Sequence, residues 1–305
     1  MLALVQTLLV ILLLVVLLLP LAHVLYARWV RRRFPMAGDV VVLDGLSLHY
    51  TRCGAGPPVV LVHGANGTWN DFPPELIAEL ARTHTVIAID RPGHGWSHAA
   101  TGRLGIAENA ATLGTLLQLL KLEDVTLVGH SYGAAVAMAM AIESPTLVRH
   151  VIAVTPCTAM DRRNARYAAA PIVGRPAGFV LFHFVSLLLM PFAQPLRADA
   201  WHPERPPGGW TASRLFAYVP SQMHASARNF RTLGTDMRWL KANLPRLVAR
   251  LTVLAGESDR VTPPARHVEW LRRALPEASI TMFRGVGHWL PRLRPDAIVE
   301  AVRRG

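Results

Sequence analysis

The chain has 305 residues, 51% hydrophobic and 17% charged, which is too apolar for a disordered chain and rich for an ordinary globular domain. Its two cysteines, Cys53 and Cys157, exclude a disulfide scaffold and any cysteine-rich metal site. The net charge of +12 is concentrated: Arg28, Arg31, Arg32 and Arg33 supply four of the surplus charges, residues 158–246 hold 12 Lys+Arg against 4 Asp+Glu, and the rest balances at 16 against 16. A basic stem and a basic insertion suit an anionic membrane surface. No recognised nucleic-acid motif accompanies the charge, so nucleic acid is not an expected partner.

The first element is apolar. From Met1 to Leu19 only Gln6 and Thr7 are polar, and the apolar character continues with interruptions to Ala27. About 20 such residues in a helix cross a bilayer core. No Lys or Arg precedes Arg28, and a small-x-small cleavage site is not convincing, so a retained transmembrane anchor over residues 1–27 is expected rather than a cleaved signal. Residues 28–38 then read as a basic juxtamembrane linker. By the positive-inside rule a single-pass membrane protein results, with its catalytic domain on the cytoplasmic side.

Residues 39–305 alternate between strands and helices. Asp39–Leu43 and Leu46–Thr51 read as a hairpin around Asp44-Gly45, and Val59–Val62 as a short buried strand. Pro73-Pro74 opens a helix through about Arg82, since proline fits a first helical turn. Strand Thr85–Ile89, helix Leu104–Lys121, strand Val125–Val128, helix Gly133–Glu143 and strand Val151–Val154 follow. Composition then changes: residues about 157–247 are rich in Pro, Arg and aromatic side chains and read as a helical cap insertion. Within it Gly178–Phe192 is nearly all apolar, with His183 and Ser186 its polar exceptions, and Trp201, Trp210 and Trp239 add to the lipophilic character. Alternation resumes with strand Leu251–Ala255, helix Ala265–Ala274, strand Ser279–Phe283 and helix Pro295–Arg303. The expected fold is α/β, a mostly parallel central sheet with helices on both faces, carrying the cap and the N-terminal transmembrane helix.

Strand Val125–Val128 runs directly into Gly129-His130-Ser131-Tyr132-Gly133, a G-x-S-x-G turn followed by a helix. Such a turn needs small residues on both sides of the serine and leaves the Ser131 hydroxyl at a helix N-terminus, where free N–H groups favour negative charge. Three further motifs stand in order: His63-Gly64-Ala65-Asn66-Gly67 after a strand, the Asp90–Ser97 turn (DRPGHGWS), and the Gly256–Pro263 loop (GESDRVTP), with Gly287-His288 beyond the last strand. On these residues the chain resembles the α/β-hydrolase superfamily, in its cap-bearing branch of esterases, lipases and C–C bond hydrolases, over about residues 39–305.

The resemblance implies a triad in the order Ser131, Asp259, His288. A serine hydroxyl needs a base within hydrogen-bond reach. His288, in a Gly-rich loop beyond the last strand, fits better than His63, His94 or His130. Asp259 would orient His288, with Glu257 and Asp161 as alternatives. The oxyanion donors are expected to be the backbone N–H groups of Ala65 and Tyr132. Asp90-Arg91-Pro92 is expected to be structural. Haloalkane dehalogenases and epoxide hydrolases of this fold carry aspartate at the elbow, whereas here it is Ser131. The expected activity is hydrolysis of a small-molecule, lipophilic carboxylic ester without metal or organic cofactor. A C–C bond hydrolase with the same triad, a cofactor-free haloperoxidase or perhydrolase, and a non-catalytic receptor or scaffold are the alternatives.

Overall fold

The computed structural model describes residues 2–43, 45–99, 104–159, 202–203 and 212–305. The apolar stretch 178–192, together with Asp161, Trp201 and Trp210, lies outside the described residues.

Among the described residues nine strands form one sheet: β1 Asp39–Leu43, β2 Leu46–Cys53, β3 Pro58–Val62, β4 Thr85–Ile89, β5 His98–Ala99, β6 Val125–His130, β7 Val148–Val154, β8 Arg250–Gly256 and β9 Ser279–Phe283. Their order is β1-β2-β4-β3-β6-β7-β8-β9, with β5 pairing β2. The pairs from β4 through β9 are parallel, while β2 is antiparallel to β1, β4 and β5. The sheet is therefore mixed, parallel through its centre with an antiparallel hairpin at one edge.

The central strands are buried on both faces, and their side chains alternate between two cores. Val60 and Val62 of β3 and Leu127 of β6 face one core with α3 Ile106–Leu119 and α4 Tyr132–Glu143. Val59 and Leu61 face the other with α2 Pro74–Ala81 and the C-terminal helix Pro295–Arg303. Helix α4 is mostly Ala and Met, so its small side chains let it lie close to the sheet, and all its positions but Glu143 are buried. Between β7 and β8 the described residues form α5 Ala212–Phe216 and α6 Pro220–Asn243.

Helix α1 runs unbroken from Leu2 to Arg33, so residues 28–33 continue the helix. Its C-terminal turns are docked: Ala27 and Val30 pack with Ala212, Leu215, Phe216 and Val219, and Tyr26 Oη donates to the Leu215 carbonyl at 2.8 Å. Among the described residues no helix is long and apolar enough to cross a membrane. The transmembrane span expected over residues 1–27 is therefore not found among the described residues.

Candidate active site

Four loops converge at the carboxyl ends of parallel strands, the usual position for a site in an open α/β sheet. Ser131 sits between β6 and α4 with φ 55° and ψ −117°, a conformation that costs about 1–3 kcal/mol for a non-glycine residue. Its backbone is held from three sides: its N–H donates to the Val154 carbonyl at 2.9 Å, and its carbonyl accepts from Ala134 and Cys157. The small flanking residues are sterically required. A Cβ on Gly133 would collide with the Val62 and His63 carbonyls, and one on Gly129 with α4 backbone.

Asp259 and His288 are brought together. His288 Nδ1 donates to Asp259 Oδ2 at 2.8 Å, and both residues are buried. Asp259 also accepts from Val261 N–H, Thr262 N–H and the Thr262 hydroxyl, at 2.8, 2.9 and 2.7 Å. Burial opposes charge on this carboxyl, but His288 and the Thr262 donors outweigh it and hold its pKa down at about 2. Among the described residues no hydrogen bond joins Ser131 to His288; such contacts commonly tighten in the substrate complex. Glu257 is exposed, and Asp161 lies outside the described residues.

The His63–Gly67 loop lies against the elbow: a Cβ on Gly64 would stand 3.2 Å from Ser131 Cβ. Among the described residues neither the Ala65 nor the Tyr132 backbone N–H donates a hydrogen bond. The carbonyl of Gly64 is well occupied, accepting from His63 Nδ1 at 2.8 Å and Arg91 Nη2 at 2.9 Å.

The other candidate histidines sit in structural roles. His63 Nε2 accepts from Arg91 N–H at 2.9 Å, and burial and then the Arg91 charge push its pKa well down. His94 is lowered for the same two reasons. Asp90 accepts from His49 Nδ1, Trp69 N–H and Trp96 N–H, which ties β2 to two loops.

Three contributors escape sequence reasoning. His130 Nε2 donates to the His288 carbonyl at 3.0 Å, and its ring lies 5.0 Å from that of His288. Thr155 Oγ1 donates to the same carbonyl at 3.2 Å. Thr262 caps the acid loop. Thr262 carries a usable signal, since it follows directly on the Asx turn in which Asp259 Oδ1 accepts from Val261 N–H two residues on. His130 and Thr155 carry none, because their partner is 158 and 133 residues away.

Residues 57–294 match the family model described as alpha/beta hydrolase fold. An uncharacterised protein of Mycobacterium tuberculosis is 29% identical over 82% of this chain and 75% of its own length. The 2-hydroxy-6-oxo-2,4-heptadienoate hydrolase of Pseudomonas putida is 36% identical over 38% of this chain and 43% of its own. Among solved structures, a bacterial membrane phospholipase A described as a virulence factor superposes with TM-score 0.67 at 19% identity, over 99% of this chain and 96% of that one. With the mixed sheet, the serine turn and the paired Asp259–His288 already in place, the match over most of its length makes this chain a member of the α/β-hydrolase fold family.

Proposed function

We propose that the chain is a membrane-anchored serine hydrolase that cleaves a lipophilic carboxylic ester through an acyl-enzyme on Ser131. The observation that carries this reading is the Asp259–His288 pair at 2.8 Å, at the same sheet edge as a serine held with φ 55° on its turn. Ser131 Oγ attacks the ester carbonyl while His288 Nε2 takes its proton. The carbonyl oxygen gains negative charge and is received by the N–H groups of Ala65 and Tyr132. His288 returns the proton to the departing alcohol, leaving the acyl-enzyme. Water, deprotonated by the same imidazole, then releases the acid. Asp259 stays ionised throughout, holding the imidazole with Nε2 toward Ser131 and stabilising the imidazolium. No step calls for a metal or organic cofactor.

The anchor reading rests on α1, whose described side chains Leu4, Val5, Val10, Leu13, Leu14, Leu18 and Leu21 are exposed. Lipid would cover these side chains, and Arg28 and Arg31–Arg33 would meet anionic headgroups on the cytoplasmic side. The likeness to a membrane phospholipase A, extending over 99% of this chain, supports the same reading.

The test uses the full chain in detergent micelles with p-nitrophenyl esters of increasing acyl length, beside Ser131→Ala and a fluorophosphonate probe. Turnover that favours longer chains, with turnover and labelling both lost in Ser131→Ala, is the expected result. A folded protein that neither labels nor hydrolyses would overturn it. A second reading, a C–C bond hydrolase using the same residues, is favoured by the 36% identity to the Pseudomonas putida enzyme. Labelling of Ser131 without ester turnover, and with cleavage of a vinylogous diketone, would select it.

A further inference from the structure

We infer that Arg91 is a positioning residue for the oxyanion donors and couples them to helix α6. The inference rests on Ala65 and Tyr132 being those donors.

Arg91 is 1% exposed, and its guanidinium is used in every direction. Nε donates to the His63 carbonyl at 3.1 Å and Nη2 to the Gly64 carbonyl at 2.9 Å. Nη1 donates to Asn109 Oδ1 at 3.2 Å and to Asn229 Oδ1 at 2.9 Å. Cζ stands 4.7 Å from the centre of the Tyr132 ring, a cation–π distance. Asp71 and Asp90 lie near enough to favour its charge, but its hydrogen bonds go to neutral acceptors. Burial lowers its pKa to about 10, so it remains a cation at neutral pH.

A buried cation held by neutral acceptors is expensive, and a well-packed apolar side chain would hold two loops together at less cost. What the charge adds is specific to the two bonded peptides. The Gly64 carbonyl and the Ala65 N–H belong to one peptide unit. A charged donor on that carbonyl polarises the unit, fixes its plane, and makes the N–H at its other end a stronger donor. The same cation packs on the side chain of Tyr132, whose N–H is the other donor. One side chain therefore sits behind both halves of the oxyanion site.

The connection to α6 is equally direct. Gln222, Ser226 and Asn229 are spaced four and three apart and share one face of that helix. Gln222 Nε2 donates to the Asn66 carbonyl at 3.0 Å and to the Gly67 carbonyl at 3.3 Å, and its Oε1 accepts from Gly95 N–H at 2.8 Å. Ser226 Oγ meets His94 Nε2 at 3.3 Å. Asn229 and Asn109 both donate to the Leu104 carbonyl, which turns each amide oxygen toward Arg91. A shift of α6 would pull on the loop that carries Ala65 through Gln222 directly and through Asn229 and Arg91.

The experiment compares the full chain with Arg91→Lys, Arg91→Gln and Asn229→Ala on one long-chain p-nitrophenyl ester. It follows kcat, KM, the pH–rate profile and inhibition by an alkyl boronic acid that forms a tetrahedral adduct on serine. Arg91→Lys keeps the charge but loses the fork. Its kcat should fall about 10–100-fold, below the full loss of an oxyanion donor, with KM changed less than about threefold. Boronic acid affinity should fall in step with kcat/KM, and the pH profile should keep its shape. Arg91→Gln should lose more, and Asn229→Ala a few-fold. Variants that lose only thermal stability, with wild-type kcat and boronic acid affinity, would overturn the inference. If the Arg91 variants do not fold, wild-type kcat in both Asn229→Ala and Asn109→Ala would overturn it. A wild-type protein that neither labels nor turns over ester would sink the hydrolase reading and this inference with it. An active wild type with unaffected variants sinks only the inference.

Discussion

At Ser131 the backbone holds a conformation that a side chain resists, because a Cβ at φ 55° crowds the neighbouring peptide. The three hydrogen bonds to Val154, Ala134 and Cys157 keep it there. Replacing the serine separates strain from chemistry. Ser131→Ala and Ser131→Gly should both abolish ester turnover. Only the glycine variant relieves the strain, so it should melt higher than the alanine variant, by an amount equivalent to about 1 kcal/mol. Equal melting temperatures would mean that the turn costs nothing. Asp259 poses the complementary question. Its carboxyl accepts four hydrogen bonds and is held near pKa 2, so at working pH it is a fixed negative charge against His288. Asp259→Asn would favour the other imidazole tautomer, with Nδ1 unprotonated. Its kcat should fall by about 10⁴ with KM little changed, measured on the same esters. A loss below tenfold would return Glu257 or Asp161 to consideration as the acid.

The elements were legible where periodicity and turn chemistry agree, and obscure where a distant partner decides. Strands β1, β4 and β9 coincide with the sequence expectation, since each is a short run bounded by turn or helix signals. Strand β7 begins at Val148, three residues before the expected start, because Arg149 and His150 read as polar loop. His150 is nonetheless buried with its Nε2 2.9 Å from Thr252 Oγ1 on the neighbouring strand. Strand β5, His98–Ala99, pairs with β2 among the described residues, and so short a run carries no periodicity. The proposed triad residues stood out because each lies in a local motif. The His130 and Arg91 contacts did not, because no local pattern announces a partner more than a hundred residues away. Helix α1 shows the same limit. Its four arginines suggest a linker, yet Ala27, Val30 and Phe34, spaced three and four apart, form the stripe that docks on α5. At the elbow the decisive contact is between α4 and β3. A methyl at Gly133 would meet the Val62 and His63 carbonyls, which are backbone and cannot rotate away. Gly133→Ala should therefore push α4 from the sheet, lower thermal stability by the equivalent of about 1–3 kcal/mol and reduce fluorophosphonate labelling of Ser131. Unchanged melting and labelling would show that the close approach is not needed.

Over the whole molecule, the described histidines couple stability to pH. Burial first, with nearby cationic or histidine charge, pushes six of them down: His63 and His94 well below the usual value, His130 to about 3, His150 to about 4, and His84 and His224 in the same direction. In the unfolded chain each takes up its proton near pH 6.5, while the folded state keeps them neutral. Between that pH and the folded values the unfolded state binds more protons, so stability falls as pH falls. Each such group adds up to about 1.4 kcal/mol per pH unit to the slope. His49 works in the opposite sense. Burial opposes its charge, but the hydrogen bond and attraction to Asp90 raise its pKa, so its contribution is full at low pH and is lost as pH rises through the folded value. Six groups against one leave a net loss of stability on acidification from pH 7 to pH 5. Asp259 does not add to it there, because its stabilisation persists until pH drops below the ordinary carboxylate range toward 2. Thermal melting of the full chain should therefore fall steadily from pH 7 to pH 5. His150→Gln, far from Ser131 along the sheet and able to keep a donor toward Thr252, should flatten part of that slope without changing ester turnover at pH 7. A melting temperature that is level or rises on acidification would show that the buried imidazoles gain protons in the folded state, and that the neutral histidines around Arg91 and His288 are not neutral.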